Sequence, residues 1–474
     1  MGLPTLLVTK PEYVNQLLNK VTTHALWGGI KPASEAFFGK SVLFVLEGEE
    51  WKRLRYLLRD SFKMQKLDVL SRDVTTCAVN LMNRLQEFAD AGKPIDMNAA
   101  LAQYHLASIG KSSFDYDMDV MQKFPKPNDV SSSFEFLLQE LPRRSFHPDP
   151  KVREDYTSGT EDNIKWQKAA QTVRKVVTQA VVERLQDEKR PGYTPRGDLL
   201  DSMIAAYREH AKNQGEDSNV QRKAELMMEA IGDNLVEVFF AGFGTSVVGM
   251  CVALYHLAKD KKLMHQAQME VDDVIPEDVE VGTGLNAKQF PFLCRVFKEA
   301  LRVTTPSPLL ARMTTEELDF DQFRIPARTN VWIPGEFIHK DPQAWGSSVD
   351  VFDPSRWEKP VLPGSFVPFS GGARDCIGKH FAELESVVAM AVLLKTYDFD
   401  VDPKFKFMPM FTGFGTRPGD ANTMSVCMNL IPKRRTDVST FMYDWTPAKI
   451  PRRNSNPLFF GADDDDLPAP PKFD

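Results

Sequence analysis

One stretch constrains this chain more than any other. From Val238 to Ala258, 21 consecutive residues carry no formal charge. A helix of that length is long enough to cross a bilayer. It equally suits a helix buried through the middle of a large soluble protein. Gly242, Gly244 and Gly249 lie inside it. Each costs a soluble helix about 1 kcal/mol relative to Ala. Membrane helices tolerate glycine too, so the stretch alone leaves both readings open.

The remainder narrows the classes. The chain has 474 residues and carries 58 Lys+Arg against 65 Asp+Glu, a net charge of −7. An acidic chain argues against general nucleic-acid binding. Neither Gly nor Pro is periodic and no long heptad run occurs, which excludes collagen and coiled-coil classes. Cys77, Cys251, Cys294, Cys376 and Cys427 are few and scattered. They point to a reducing compartment and away from a disulfide scaffold. The opening residues lack the basic-then-apolar pattern of a signal peptide or anchor.

Apolar spacing predicts helices over 47–68, 70–90, 161–189, 197–211, 222–258, 260–274, 288–303 and 377–394. Short strand patterns fall at 317–326, 330–333 and 423–431. No clear linker appears. The expectation is a mainly α fold with small β-sheets, one large domain over 1–453, and a disordered acidic tail over 454–474. Within the first helix, Lys52, Arg53, Arg55, Arg59, Lys63 and Lys66 face only Asp60.

The most informative segment runs Phe369-Ser-Gly-Gly-Ala-Arg-Asp-Cys-Ile-Gly378, directly before a helical pattern. A Cys at a helix N-terminus beside an Arg is electropositive, which favours the thiolate. Glycines at 371, 372 and 378 let backbone approach something flat and bulky. A lone Cys is otherwise a small buried hydrophobe. A zinc site would pair Cys376 with His380, but no further Cys or His lies nearby to complete four ligands.

Here the sequence resembles the cytochrome P450 family, the haem-thiolate monooxygenases. Phe369, Gly372, Arg374, Cys376 and Gly378 match every fixed position of the family's Phe-x-x-Gly-x-Arg-x-Cys-x-Gly signature. Four further matches follow the family's order: Trp51-x-x-x-Arg55, the Ala241–Ser246 segment, Glu299-x-x-Arg302, and His339-Lys-Asp-Pro-x-x-Trp345 leading to Arg356-Trp357. The resemblance implies haem b with Cys376 as axial thiolate, which pushes electron density onto the iron. It implies Phe369 against the sulfur side, Gly378 passing close to the ring, and Trp51, Arg55, Arg312 and Arg374 as propionate partners. It also implies a buried triad of Glu299, Arg302 and Arg356.

The same resemblance makes the uncharged stretch the central helix over the haem. Ala241, Gly242 and Gly244 would leave room for oxygen, and Thr245 would manage protons. Otherwise a helical Thr bonds its own backbone. Gly244 stands where the family usually has an acid. That departure motivates a second reading, a haem-thiolate isomerase, dehydratase or peroxide-using enzyme. A third is a non-catalytic haem-binding relative.

The implied partners are O2, a lipophilic substrate such as a sterol or fatty-acid-like molecule, and an NADPH-dependent flavoprotein reductase. No nucleic acid is implied. The reductase would dock on Lys52, Arg53, Arg59, Lys63 and Lys66. Candidate substrate contacts are Trp27, Phe37, Phe38, Phe44, Phe239, Phe240, Phe243, Leu309, Leu310, Phe411 and Phe414. Plain core packing is expected for about half of them. The Trp51 helix stands nearer the start than in microsomal members. A full-length form is therefore expected at the endoplasmic reticulum membrane, with the anchor, hinge and first sheet strand absent here.

Overall fold

The computed structural model describes residues 5–436, apart from 21–29, 40–45, 60–61, 63, 214–219, 276–283, 321–322 and 414. Fifteen α-helices and ten short strands occur among the described residues. The architecture is mainly α, as the apolar spacing predicts.

The uncharged stretch lies within α10 (Val220–Lys259), a helix of 40 residues. In its most apolar window, 72% of the residues are buried inside the fold. The ambiguity therefore resolves to a buried central helix. Around it pack α5 (Met97–Phe114), α8 (Glu161–Asp187) and α12 (Pro291–Val303). Helix α4 (Met64–Ala91) packs against α5 and α15 (Lys379–Thr396). The main core extends from Ala33 to Leu430.

A smaller core joins β1 (Thr5–Leu7), α1 (Pro11–Lys20) and the hairpin of β4 (Leu318–Phe320) with β5 (Phe323–Ile325). Its sheet has β6 (Asn330–Pro334) in the centre, parallel to β1 and antiparallel to β3 (Leu309–Met313). The sequence reading expects no opening strand. The structure has one, with Thr5 in register with Asn330.

Four further differences stand out. The basic segment 47–68 is not one helix. It is α3 (Gly48–Arg59) followed by the start of α4. Helix α5 carries no periodic signal because it is buried on nearly every face. Helix α6 (Asp129–Ser145) is also missed, although Asn128 caps it by accepting the Ser131 N–H at 2.9 Å. The expected strand 423–431 is displaced to β10 (Asn429–Arg434), which pairs with β7 (Tyr397–Val401).

Candidate functional site

The Cys376 loop is built by its own backbone before any side chain is considered. The Ser370 N–H donates to the Val367 carbonyl at 3.0 Å, closing a turn in which Ser370 takes φ 63°. The Cys376 N–H donates back to the Phe369 carbonyl at 2.8 Å. Residues Gly372–Arg374 form a short 3-10 turn, and α15 begins immediately after Gly378.

The three loop glycines do different work. Gly372 has φ +67°, and a Cβ there would overlap the Leu18 carbonyl oxygen of α1. A Cβ at Gly371 would meet Leu18 Cδ1 at 3.3 Å. These two let the loop seat on α1. Gly378 differs: nothing lies within 4 Å of the Cβ it lacks, and that position opens onto free space.

Cys376 is exposed at its own surface, yet protein surrounds it at longer range. That enclosure pushes the thiol up, while the Gly378 N–H and the Arg55 guanidinium pull it down. Burial wins. The Gly378 amide and the Arg55 guanidinium oppose that effect without cancelling it.

The basic residues converge on this loop from three elements. Arg374 is buried, stacks on the Trp51 ring at 3.8 Å, and donates to the Leu46 carbonyl at 3.2 Å. Arg312, on β3, is buried and donates to Ser370 Oγ at 2.6 Å. Burial pulls both guanidinium groups down to about 10, and Arg312 and Arg55 add repulsion at Arg374. The Trp51 Nε1–H is buried with no hydrogen-bond partner among the described residues. Arg55 instead spans to the loop, donating to the Asp375 carbonyl at 2.7 Å and pairing with the Asp375 carboxylate. Trp51 and Arg55 share a helix face but here do not share an acceptor. Phe369 is half-buried against the main core.

On α10, Thr245 is exposed although the helix around it is mostly buried. Its hydroxyl donates to the Ala241 carbonyl at 2.9 Å, the backbone bond common for a helical Thr. Ala241 is half-buried. A Cβ on Gly242 would meet Ile109 of α5 at 2.5 Å, and one on Gly244 would meet Leu138 of α6 at 3.2 Å. Both glycines thus let α10 lie close to its neighbouring helices. Phe239 packs on Phe114 at 4.7 Å, Phe240 on Phe38 at 5.1 Å, and Phe243 on Phe134 at 5.7 Å. These rings, with Phe37, are core. Leu309 and Leu310 are half-buried, and Phe411 is exposed. Trp27, Phe44 and Phe414 lie outside the described residues.

The structure brings Glu299, Arg302 and Arg356 together. Arg302 is fully buried and forks onto both Glu299 oxygens at 2.8 and 2.9 Å. Arg356 Nε lies 3.4 Å from the same carboxylate. Two members were missed by the sequence reading. The Trp357 indole N–H and the Asp353 amide donate to Glu299 at 3.0 and 2.9 Å. Trp357 follows Arg356 directly in the Pro-x-Arg-Trp segment, so its adjacency to the motif was the available signal.

These residues fit a flat dianionic macrocycle with an iron. Among the described residues a buried indole N–H lacks an acceptor, two arginines are depressed by burial that an anion would offset, and Gly378 leaves its flank open.

Comparison with known proteins agrees. The Cytochrome P450 family model matches residues 1–423. Cytochrome P450 3A7 of Homo sapiens is 26% identical over 403 residues, covering 84% of this chain and 77% of that protein. Cytokinin hydroxylase of Arabidopsis thaliana is 23% identical over 419 residues, covering 86% and 76%. Putative cytochrome P450 CYP13A4 of Caenorhabditis elegans is 26% identical over 447 residues, covering 87% and 82%. The chain belongs to the cytochrome P450 family, whose members bind haem b through a cysteine thiolate and are monooxygenases.

Proposed function

We propose that this protein inserts one oxygen atom from O2 into a lipophilic small molecule, sterol or fatty-acid-like, using electrons passed from NADPH by a flavoprotein reductase. Haem b, when bound, supplies the redox chemistry that divides O2 between substrate and water. The observation that carries the reading is the Cys376 loop, with an exposed Cys among depressed, buried arginines.

In this reading Cys376 is the axial ligand. Trp51, Arg312 and Arg374 hold the propionates, Arg55 braces the loop through Asp375, and Phe369 flanks the sulfur. Ala241 and Thr245 bound the oxygen side. Because the Thr245 hydroxyl already donates to Ala241, its oxygen serves as an acceptor for a water molecule. Passing a proton onward requires it to release that carbonyl. Residues 1–453 form the haem-enclosing unit, with 454–474 as an acidic tail, and the protein resides at the endoplasmic reticulum membrane.

The reductase would meet the basic face of α3. There Lys52 is already paired with Glu49 at 2.7 Å, and Arg59 lies over the Tyr56 ring at 5.3 Å. Lys63 and the Lys66 side chain lie outside the described residues. Gly244 favours a second reading, peroxide-driven or isomerase-type chemistry without a reductase.

Two measurements decide. The reduced carbon-monoxide complex of the wild type should show the red-shifted Soret band of thiolate ligation, and Cys376→Ala should lose it. An imidazole-type spectrum in the wild type overturns the assignment. Product formation should require NADPH and O2 and fall in Thr245→Ala; turnover with peroxide alone favours the second reading.

A further inference from the structure

His339 lies at the end of the short helix α13 (Gly335–Ile338) and is fully buried. Its two ring nitrogens do opposite jobs. The Val367 backbone N–H points at Nε2 at 2.8 Å. An amide can only donate, so Nε2 must accept and carries no proton. The single ring proton is therefore on Nδ1, which lies 2.7 Å from the Thr305 hydroxyl oxygen. That hydroxyl in turn donates to the Leu301 carbonyl at 3.2 Å. The result is a one-way chain of hydrogen bonds, Val367 to His339 to Thr305 to Leu301. It runs from the start of the Cys376 loop to the last turn of α12. Burial, helped by the charges of Arg302 and Lys340, lowers the ring to about 3 and keeps it neutral. Glu336 is the acid nearby, accepting from the Thr305 amide at 3.3 Å and pairing with Lys340.

The same residue is gripped by its backbone. The His339 carbonyl accepts from Arg302 Nη1 at 3.0 Å. Val367, the residue it holds, closes the turn carrying Phe369 and Ser370, and Phe369 holds the Cys376 amide. We propose that His339, as its Nδ1–H tautomer, is a positioning residue that ties the ligand loop to the buried Glu299–Arg302 pair and so holds the Cys376 sulfur in its binding geometry. Its catalytic meaning rests on Cys376 being the axial ligand.

The test compares His339→Leu, which removes both bonds, with His339→Gln, whose amide can both accept and donate. Val74→Ala, in the α4 core, serves as a control for general destabilisation. Hydrogen exchange of the 365–370 segment is measured on each protein. So is the rate at which the reduced carbon-monoxide complex of the holoprotein loses its thiolate band. One buried hydrogen bond corresponds to roughly a tenfold change in such an equilibrium. His339→Leu should speed both readouts by about that factor, with Gln near wild type and Val74→Ala unchanged in the segment. Equal behaviour of Leu and Gln, or an equal effect from Val74→Ala, overturns the proposal. A wild type without the thiolate band sinks the Cys376 assignment instead, and the exchange result still judges whether His339 anchors the loop.

Discussion

Glu299 and Arg302 are both fully buried, and neither charge is left for solvent to satisfy. The carboxylate takes two bonds from Arg302, one from Trp357 and one from the Asp353 amide. The guanidinium spends its remaining donors on the His339 and Val349 carbonyls at 3.0 and 2.8 Å, and a further contact reaches Val351. Removing one partner strands the other charge in low dielectric. Arg302→Met should therefore lose about 3–5 kcal/mol in urea melts. A loss below about 1 kcal/mol, the scale of an exposed pair, would mean that water enters the site. The Glu-x-x-Arg spacing was legible because i,i+3 puts both side chains on one helix face. The backbone carbonyls that complete the cage were not, because any residue can supply one.

At the scale of elements, α10 shows what sequence can and cannot say. Its length and lack of charge predicted a long helix. The reason for its glycines lay elsewhere in the chain. A Cβ at Gly249 would lie 2.7 Å from Phe297 and 3.0 Å from Leu301, both on α12. Gly249→Ala gains about 1 kcal/mol of helix propensity. Pushing an aromatic ring edge aside costs typically about 1–3 kcal/mol. The net expectation is a loss of stability, read as a lower urea midpoint; a raised midpoint would show that Phe297 moves freely. Helix α5 illustrates the opposite failure. It was invisible because burial on nearly all sides erases the periodicity by which helices are read.

For the whole molecule, two histidines set a trend with pH. His256 stacks on Phe352 at 4.1 Å, and burial with nearby Lys259 lowers it to about 4. His339 is lowered to about 3. Both stay neutral in the fold, while the unfolded chain takes up protons below about 6.5. Stability they support is present above that value and is lost as pH falls from about 6.5 toward 4. Glu383 runs the other way: burial raises it to about 7, so its contribution is present at low pH and fades as pH rises through 7. His256→Phe keeps a ring against Phe352 without a proton. It should flatten the fall in urea midpoint between pH 6.5 and 4 relative to wild type. An unchanged slope would mean that His256 is already solvated. None of this was visible beforehand, since a histidine's surroundings are set by contacts distant in sequence.

The seating of the ligand loop on α1 has a consequence for how the protein is made. Gly364, Gly371 and Gly372 come within touching distance of Pro11 and Leu18, from the opposite end of the described chain. During synthesis α1 emerges first, and the loop that it supports emerges only after every helix up to α14 (Pro342–Trp345). The cofactor cradle therefore cannot close on a partial chain. Haem capture has to wait until the ribosome has passed the cysteine, and a chain released early would keep its helices but have no finished place to hold the iron.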